Sequence, residues 1–200
     1  MKKILLYVIF LAFSVVPAVA QTAKSVLDKC AQTLSAQQGV EAQFSMESAQ
    51  YGNASGNIAI KGRRFHATTG AAAMWFDGKT QWTYLKKNDE VSVTTPTEEQ
   101  LQALNPYNFI NMYKKGFSYT MTKSGGSYIV HLKADDAKRR IQEMFITIDQ
   151  KSYAPSEVKM RQGQRWTKFT ISGLHTANLA DSRFVFNKSD YPSAEVIDLR

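Results

Sequence analysis

Trp75-Phe76-Asp77-Gly78-Lys79-Thr80-Gln81-Trp82-Thr83-Tyr84 is the stretch that decides the fold class. Strand-forming residues flank Asp77-Gly78, and Asp-Gly between two such runs is the strongest short-range signal for a β-hairpin. Both turn residues of such a hairpin need a positive φ, which Gly adopts without steric cost. We therefore predict a tight hairpin between strands at residues 73–77 and 79–86.

The same period of two continues on both sides of this hairpin. From Val40 to Met46 apolar residues alternate with polar ones, and the Gly-containing residues 52–56 predict a turn into a strand at 57–61. Further alternating runs predict strands at 64–68, 90–95, 116–123, 128–134, 142–150, 156–162 and 164–172. A meander of roughly ten or eleven strands has to twist and coil, burying one face and leaving the other in water. We therefore expect an incomplete antiparallel β-barrel, a half-barrel.

Two helical stretches accompany the strands and make the fold mainly β with short helices, an α+β class. Thr22 can cap a helix that Gly39 ends, and its apolar face is Val26, Leu27, Cys30, Ala31 and Leu34. Thr97 and Gln100 form a capping box at the start of a helical insertion over residues 97–113. We expect both elements to lid the barrel. Neither is long enough to fill it, so we expect a partly empty apolar interior.

The first 20 residues predict the compartment. Lys2 and Lys3 precede an apolar run over residues 4–16, and Ala18-Val19-Ala20 has the small-x-small pattern of a signal-peptidase site. We predict a cleaved signal peptide over residues 1–20, which exports the protein, and one domain over residues 21–200. The chain has 200 residues, 44% of them apolar and 21% charged, which excludes a disordered polymer.

A search for catalytic chemistry gives little. The single cysteine, Cys30, excludes a disulfide framework and a Cys-cluster zinc site, and we interpret it as a buried helix thiol. His66, His131 and His175 stand in no metal-binding or nucleophile motif. We expect no enzyme activity, no metal and no cofactor. Short basic runs such as residues 138–140 are typical of solvated loop tips, so we expect no nucleic-acid partner.

One alternation class per strand supplies apolar residues for the inside of the barrel. Each of them alone is typical of an ordinary core, but Met and aromatic side chains also adapt to a flexible apolar guest. The candidate cavity residues are Phe44, Met46, Ile58, Ile60, Phe65, Trp82, Tyr84, Val91, Val93, Tyr107, Phe109, Ile110, Phe117, Tyr119 and Met121.

Residues 75–84 also carry a family resemblance. They resemble the D-G-K-T-x-W-x-Y strand pair of the LolA-like periplasmic lipoprotein carriers. Over nearly all of residues 24–198 further stretches are similar in order: the v-x-a-x-F opening at 40–44, the basic turn at 60–65, the Pro-led helical segment at 106–110, and the closing strand and tail at 181–186 and 196–198. Only the stretch from Asp77 to Tyr84 is specific by itself.

The resemblance implies a location in the periplasm, a function and partners. Such a carrier takes the acyl chains of lipoproteins, which an inner-membrane exporter releases, into an apolar, lipid-binding cavity. It then passes the lipoproteins to an outer-membrane acceptor, so an acceptor of this kind is a possible partner of this protein. Many members have Lys-Arg-Pro in the second turn, where the Arg holds the lid; this chain has Lys61-Gly62-Arg63-Arg64, and we nominate Arg63 as the latch. We expect a monomer. The alternatives are another periplasmic lipid-binding or envelope-sensing module on the same half-barrel, and a periplasmic hydrolase, which lacks a recognisable site.

Overall fold

The computed structural model describes residues 22–50, 52–97, 100–101 and 112–200. The predicted signal peptide and most of the predicted insertion lie outside these residues. Helix α1 covers Ala23–Leu34, and two 3-10 helices cover Asp181–Phe184 and Lys188–Asp190. The strands of the described residues are β1 (Val40–Ser48), β2 (Gly52–Lys61), β3 (Arg64–Thr69), β4 (Ala72–Phe76), β5 (Gln81–Leu85), β6 (Glu90–Thr94), β7 (Phe117–Ser124), β8 (Ser127–Ala134), β9 (Glu143–Asp149), β10 (Pro155–Gln162), β11 (Arg165–Thr176) and β12 (Glu195–Asp198).

All twelve described strands join one open sheet. Its order is β12-β6-β5-β4-β3-β2-β1-β11-β10-β9-β8-β7, so β12 and β7 form the two edges. The pairs are antiparallel except that β12 runs parallel to β6. The expected ten or eleven strands and the purely antiparallel pattern are therefore corrected, because the tail adds a twelfth strand. Residues 181–186, expected as the closing strand, begin instead with a 3-10 helix.

Two predicted turns differ in the structure. Residues 52–56 are not a turn but the first half of β2. Gly56 is needed there because a Cβ at this position would lie 1.7 Å from the Thr68 carbonyl oxygen on β3. The loop after β4 spans residues 77–80, and only Gly78 in it has a positive φ. Asp77 instead holds the loop with its carboxylate, which accepts from the amide nitrogens of Lys79 at 2.8 Å and Thr80 at 2.7 Å.

Helix α1 packs on one side of the sheet, which we call the inner face. Thr22 caps the helix as predicted, its hydroxyl accepting from the Ser25 amide at 3.2 Å. The apolar stripe of α1 enters a core that also contains Ile58 and Phe65 from one half of the sheet and Leu132 and Ile146 from the other. One core shared by distant strands means that the open sheet coils around it. None of the described helices has the length and apolarity to cross a membrane.

The opposite side, the outer face, is partly covered by a C-terminal segment, residues 177–198. Phe184 is fully buried against Ala59 and Leu179, and Tyr191 lies 5.5 Å from Trp75 and 4.6 Å from Tyr84 between ring centroids. The expectation that the outer face meets water throughout is therefore wrong over β2–β6. There the C-terminal segment adds a second apolar layer.

Candidate functional site

The inner face holds an apolar cavity of about 290 Å³. It lies between the two halves of the sheet, towards the ends of the strands at the β1–β2, β3–β4 and β10–β11 turns. Among the described residues, the side chains that line it are Phe44, Met46, Ala54, Ile58, Ala67, Thr69, Ala72, Ala73, Met74, Arg140, Met160, Gln162, Thr167 and Phe169. We call it the inner cavity. Aliphatic, aromatic and thioether groups dominate its wall, so its chemistry favours a hydrocarbon occupant.

Three methionines and two phenylalanines make this wall adaptable. Met46, Met74 and Met160 come from β1, β4 and β10, so they approach the cavity from both halves of the sheet. An unbranched thioether side chain changes rotamer at little cost and fills irregular space. The cavity can therefore change shape through its side chains while the hydrogen-bonded strands stay in place.

Sequence reasoning found part of this wall. Phe44, Met46 and Ile58 line the cavity, whereas five other candidates lie on the inner face within or against the core without lining it: Ile60, Phe65, Phe117, Tyr119 and Met121. Tyr107, Phe109 and Ile110 lie outside the described residues. The sequence analysis missed Met74, Met160 and Phe169, although Met160 and Phe169 share the alternation that places Val158 and Ile171 in the core.

Four of the predicted cavity residues lie on the outer face instead: Trp82, Tyr84, Val91 and Val93. Phe76, an inner core residue, pairs with Gln81, so the next residue, Trp82, points to the outer face. Trp82 pairs with Val93 and Tyr84 pairs with Val91, which puts all four on that face. On β5 and β6 the polar alternation class faces inward. The prediction was wrong because it took the apolar class as the inner one, whereas the C-terminal segment covers that class outside.

The parts of the predicted lids that are described pack on the same core. Leu101 and the pair Met112 and Tyr113, from the two ends of the insertion, are buried in it. The Tyr113 hydroxyl donates to the Asp28 carboxylate on α1 at 2.5 Å. Burial and the Asp28 contact raise the pKa of Tyr113 above its usual range. This hydrogen bond joins the helix to the insertion beside the inner face.

The predicted capping box is confirmed at the other end of the insertion. The Thr97 amide donates to the Gln100 side-chain oxygen at 2.8 Å, and the Gln100 amide donates to the Thr97 hydroxyl at 3.3 Å. Two otherwise unpaired donors are satisfied reciprocally, which fixes where this helical stretch begins.

The basic turn between β2 and β3 lies next to the C-terminal segment. Arg63 is exposed in the two-residue turn, next to Gly62, which has φ of 62°. Lys61 and Arg64 bind the Asp181 carboxylate of the C-terminal segment, at 3.0 and 2.5 Å. The hydrogen bond from Arg64, and to a smaller extent that from Lys61, lowers the pKa of Asp181 to about 2. Lys61 and Arg64, on either side of the turn, thus hold the C-terminal segment, and the latch role of Arg63 stays a prediction.

A second, polar cleft of about 290 Å³ opens on the outer face. Glu41, His66, His175 and Arg183 line it. The His66 ring stacks on Trp75 at 5.1 Å, and its buried Nε2 has no hydrogen-bond partner among the described residues. Burial, with a smaller contribution from the Arg183 charge, lowers the pKa of His66 to about 4. Because burial keeps the imidazole of His66 neutral, the ring contributes packing against Trp75 and no positive charge.

Two further reactive side chains, Cys30 and His131, have contacts of their own in the described structure. Cys30 is fully buried on α1, which confirms the predicted buried helix thiol, and this burial raises the pKa of the thiol to about 12, so that it is a poor nucleophile. The His131 Nε2 donates to the Glu143 carboxylate at 2.8 Å on the outer face, and the imidazole ring stacks on Phe145. Within the described ranges, no three His, Cys, Asp or Glu side chains are grouped closely enough to hold a metal ion.

Comparisons with known proteins identify a family for the chain. Residues 13–164 match the family model described as outer membrane lipoprotein carrier protein LolA. The chain is similar in structure to an uncharacterized conserved protein from Thermus thermophilus, at 12% identity and a TM-score of 0.59, over 88% of this chain and 98% of that one. No curated protein sequence matches the chain.

Two further solved structures are similar to the chain at lower TM-scores. MucB is 11% identical with a TM-score of 0.50, and the similarity spans 82% of this chain and 62% of MucB. A LolA superfamily protein from Nitrosomonas europaea is 10% identical with a TM-score of 0.45, over 82% of this chain and 98% of that one. Identities this low concern the fold alone.

Proposed function

Because the chain belongs to the family of the outer membrane lipoprotein carrier protein LolA, we propose that it is a periplasmic carrier that shelters the acyl chains of lipoproteins in its inner cavity between the inner and outer membranes. Its partners would be the acylated lipoproteins, an inner-membrane exporter that loads it and an outer-membrane acceptor that unloads it. The observation that carries the proposal is the apolar cavity of about 290 Å³ inside an open sheet.

The hydrophobic effect gives the reason for such a carrier. Each methylene in water costs about 0.8 kcal/mol, so two or three long acyl chains would cost on the order of tens of kcal/mol during transit. A wall of Met, Phe and Ala side chains removes this cost without forming a directional bond. Release then requires only that the chains meet a second apolar environment.

The size of the cavity favours a gated carrier. A volume of about 290 Å³ is just below the usual range for ligand pockets, roughly 300 to 1,000 Å³. Several acyl chains would therefore need a wider space than the empty protein offers. The adaptable Met46, Met74 and Met160, and a movement of the elements packed on the inner face, would supply it. A cavity that is narrow when empty also favours unloading.

The same volume supports a second candidate function. A single acyl chain fits a small cavity better than two or three do, which favours a periplasmic lipid-binding module with a one-chain ligand. Both candidates use the inner cavity and differ in the cargo, so one experiment can separate them.

A matched pair of variants tests the proposal. Ala54 lines the cavity near the start of β2, and Ser55 is its exposed neighbour on the outer face. The mature chain, Ala54→Phe and Ser55→Phe would be loaded with a fluorescent triacylated cysteinyl peptide and then mixed with outer-membrane vesicles. Detergent-free native mass spectrometry would identify lipids that co-purify with each protein.

We expect the wild type and Ser55→Phe to bind the peptide and release it to the vesicles, and Ala54→Phe to bind it much more weakly. Circular dichroism would check that both variants fold. Binding of free fatty acid or phospholipid without the triacylated peptide would favour the second candidate. Equal peptide binding by Ala54→Phe and Ser55→Phe would contradict the use of this cavity.

A further inference from the structure

One cation stands beside an otherwise uncharged cavity. Arg140 is the single charged side chain among the described residues that line the inner cavity, and no acidic residue lines it there. Arg140 also has no ion-pair or hydrogen-bond partner in the part of the chain that the structure describes. Arg140 is exposed to solvent, and an arginine with its five donors unused next to apolar space creates a positive potential at the edge of the cavity.

The loop that carries Arg140 is fixed on both sides of it. We call residues 135–142 the rim loop. Before Arg140, the Arg139 guanidinium lies 5.1 Å from the centroid of the Phe117 ring. After it, Ile141 is 4% exposed and belongs to the core. With its neighbours anchored, the backbone of Arg140 is held in place, and the side chain alone is left to move.

The rim loop is also tied to the strands that form the cavity. The Gln142 amide donates to the Arg161 carbonyl at 3.0 Å, and the Ala134 amide donates to the Gln142 carbonyl at 2.9 Å. The Arg161 guanidinium donates to the Gln142 side-chain oxygen at 3.1 Å. Arg161 lies on β10 next to Met160 and Gln162, which line the cavity. The position of Arg140 relative to the cavity is therefore set by hydrogen bonds and burial.

We propose that Arg140 binds the anionic head group, a carboxylate or a phosphate, of an acyl chain whose hydrocarbon lies in the inner cavity. Guanidinium groups bind both anions in the same two-pronged geometry, so the shared chemistry is an anion at the polar end of a chain. This inference rests on the proposed function, since it requires an acyl chain in the cavity. It adds that the site selects among acyl chains by the charge of their head groups.

The experiment compares ligands that share a chain and differ in charge. cis-Parinaric acid and its methyl ester would be titrated into the full mature protein at pH 8, with fluorescence as the readout. 1-Palmitoylglycerol 3-phosphate and 1-palmitoylglycerol would then compete with the bound probe, which separates a phosphate source from a carboxylate source. The variants are Arg140→Gln, Arg140→Lys and, as a matched control on the same loop, Lys138→Gln, whose side chain is exposed and does not line the cavity.

We expect the wild type to prefer the anionic member of each pair, and Arg140→Gln to lose about tenfold in affinity for it. Affinity for the neutral members should not change, Lys138→Gln should behave as the wild type, and Arg140→Lys should fall between. Equal effects of Arg140→Gln on charged and neutral ligands, or none on either, would overturn the inference while leaving the carrier intact. Failure of the wild type to bind any of the four ligands while it binds the triacylated peptide would overturn this inference alone, and failure to bind that peptide as well would overturn the proposed function too.

Discussion

Replacing His66 by Phe should change how the stability of the protein depends on pH. His66 is stacked on Trp75, its Nε2 is buried without a partner among the described residues, and Arg183 is the charge that acts on it. Burial lowers its pKa from 6.5 to about 4. Phe keeps a flat ring against Trp75 and removes the titrating group.

The sign follows from which state binds the proton. Above pH 6.5 the imidazole is neutral in both states and adds no pH dependence. Between about pH 6.5 and pH 4 the unfolded chain takes up a proton that the folded protein does not, so the free energy of unfolding decreases as the pH falls. Below about pH 4 both states are protonated, and this contribution stops growing.

The magnitude comes from the same shift. The difference between 6.5 and about 4 corresponds to about 3.4 kcal/mol if it were expressed in full. Because the side chain remains partly exposed to solvent, screening reduces the effect, and we expect about 2 kcal/mol. Wild type should lose this amount relative to His66→Phe between pH 7.5 and pH 4.

Urea unfolding followed by tryptophan fluorescence at several pH values would measure it. His175→Phe is the matched control, because His175 is an exposed histidine of the same outer cleft. Its pH profile should follow that of the wild type. If the difference in unfolding free energy between wild type and His66→Phe is the same at pH 7.5 and pH 4, the reasoning from burial is wrong.

Three further outcomes are expected. Arg63→Leu should slow the transfer of acylated peptide to outer-membrane vesicles and change hydrogen exchange in the insertion; unchanged transfer and exchange would remove the latch. Asp181→Asn should speed hydrogen exchange in the C-terminal segment while the global free energy of unfolding hardly changes, since the carboxylate is exposed. Exchange as slow as in the wild type would show that the ion pairs of Asp181 with Lys61 and Arg64 do not hold the segment. Gly56→Ala should lower the free energy of unfolding measured in urea by about 2 kcal/mol or more, because its Cβ would meet the β3 backbone. Gly70→Ala is the control and should be nearly neutral, since there is open space around Gly70. Equal effects of the two substitutions would contradict the close approach of β2 and β3 at Gly56.

Local signals in the sequence predicted most elements correctly. The cap at Thr22, the capping box at Thr97 and the alternation in β7–β11 depend on neighbouring residues only, and the structure agrees with them. The twelfth strand was not predictable in this way, because Glu195–Asp198 is a strand only through its hydrogen bonds to β6, a hundred residues earlier.

Alternation determines two faces for each strand but not which of them is the inside. For Phe44 and Ile58 the apolar class faces the cavity, whereas for Trp82 and Tyr84 it faces outward, and the residues that decide this lie in the C-terminal segment. Arg140 shows the same limit for function. Its loop position follows from the sequence, but the cavity beside it exists only where strands from both halves of the sheet meet. Short-range chemistry therefore determined the strands, α1 and the apolar character of the interior, and long-range packing alone decided where the cavity lies and which charge stands at its edge.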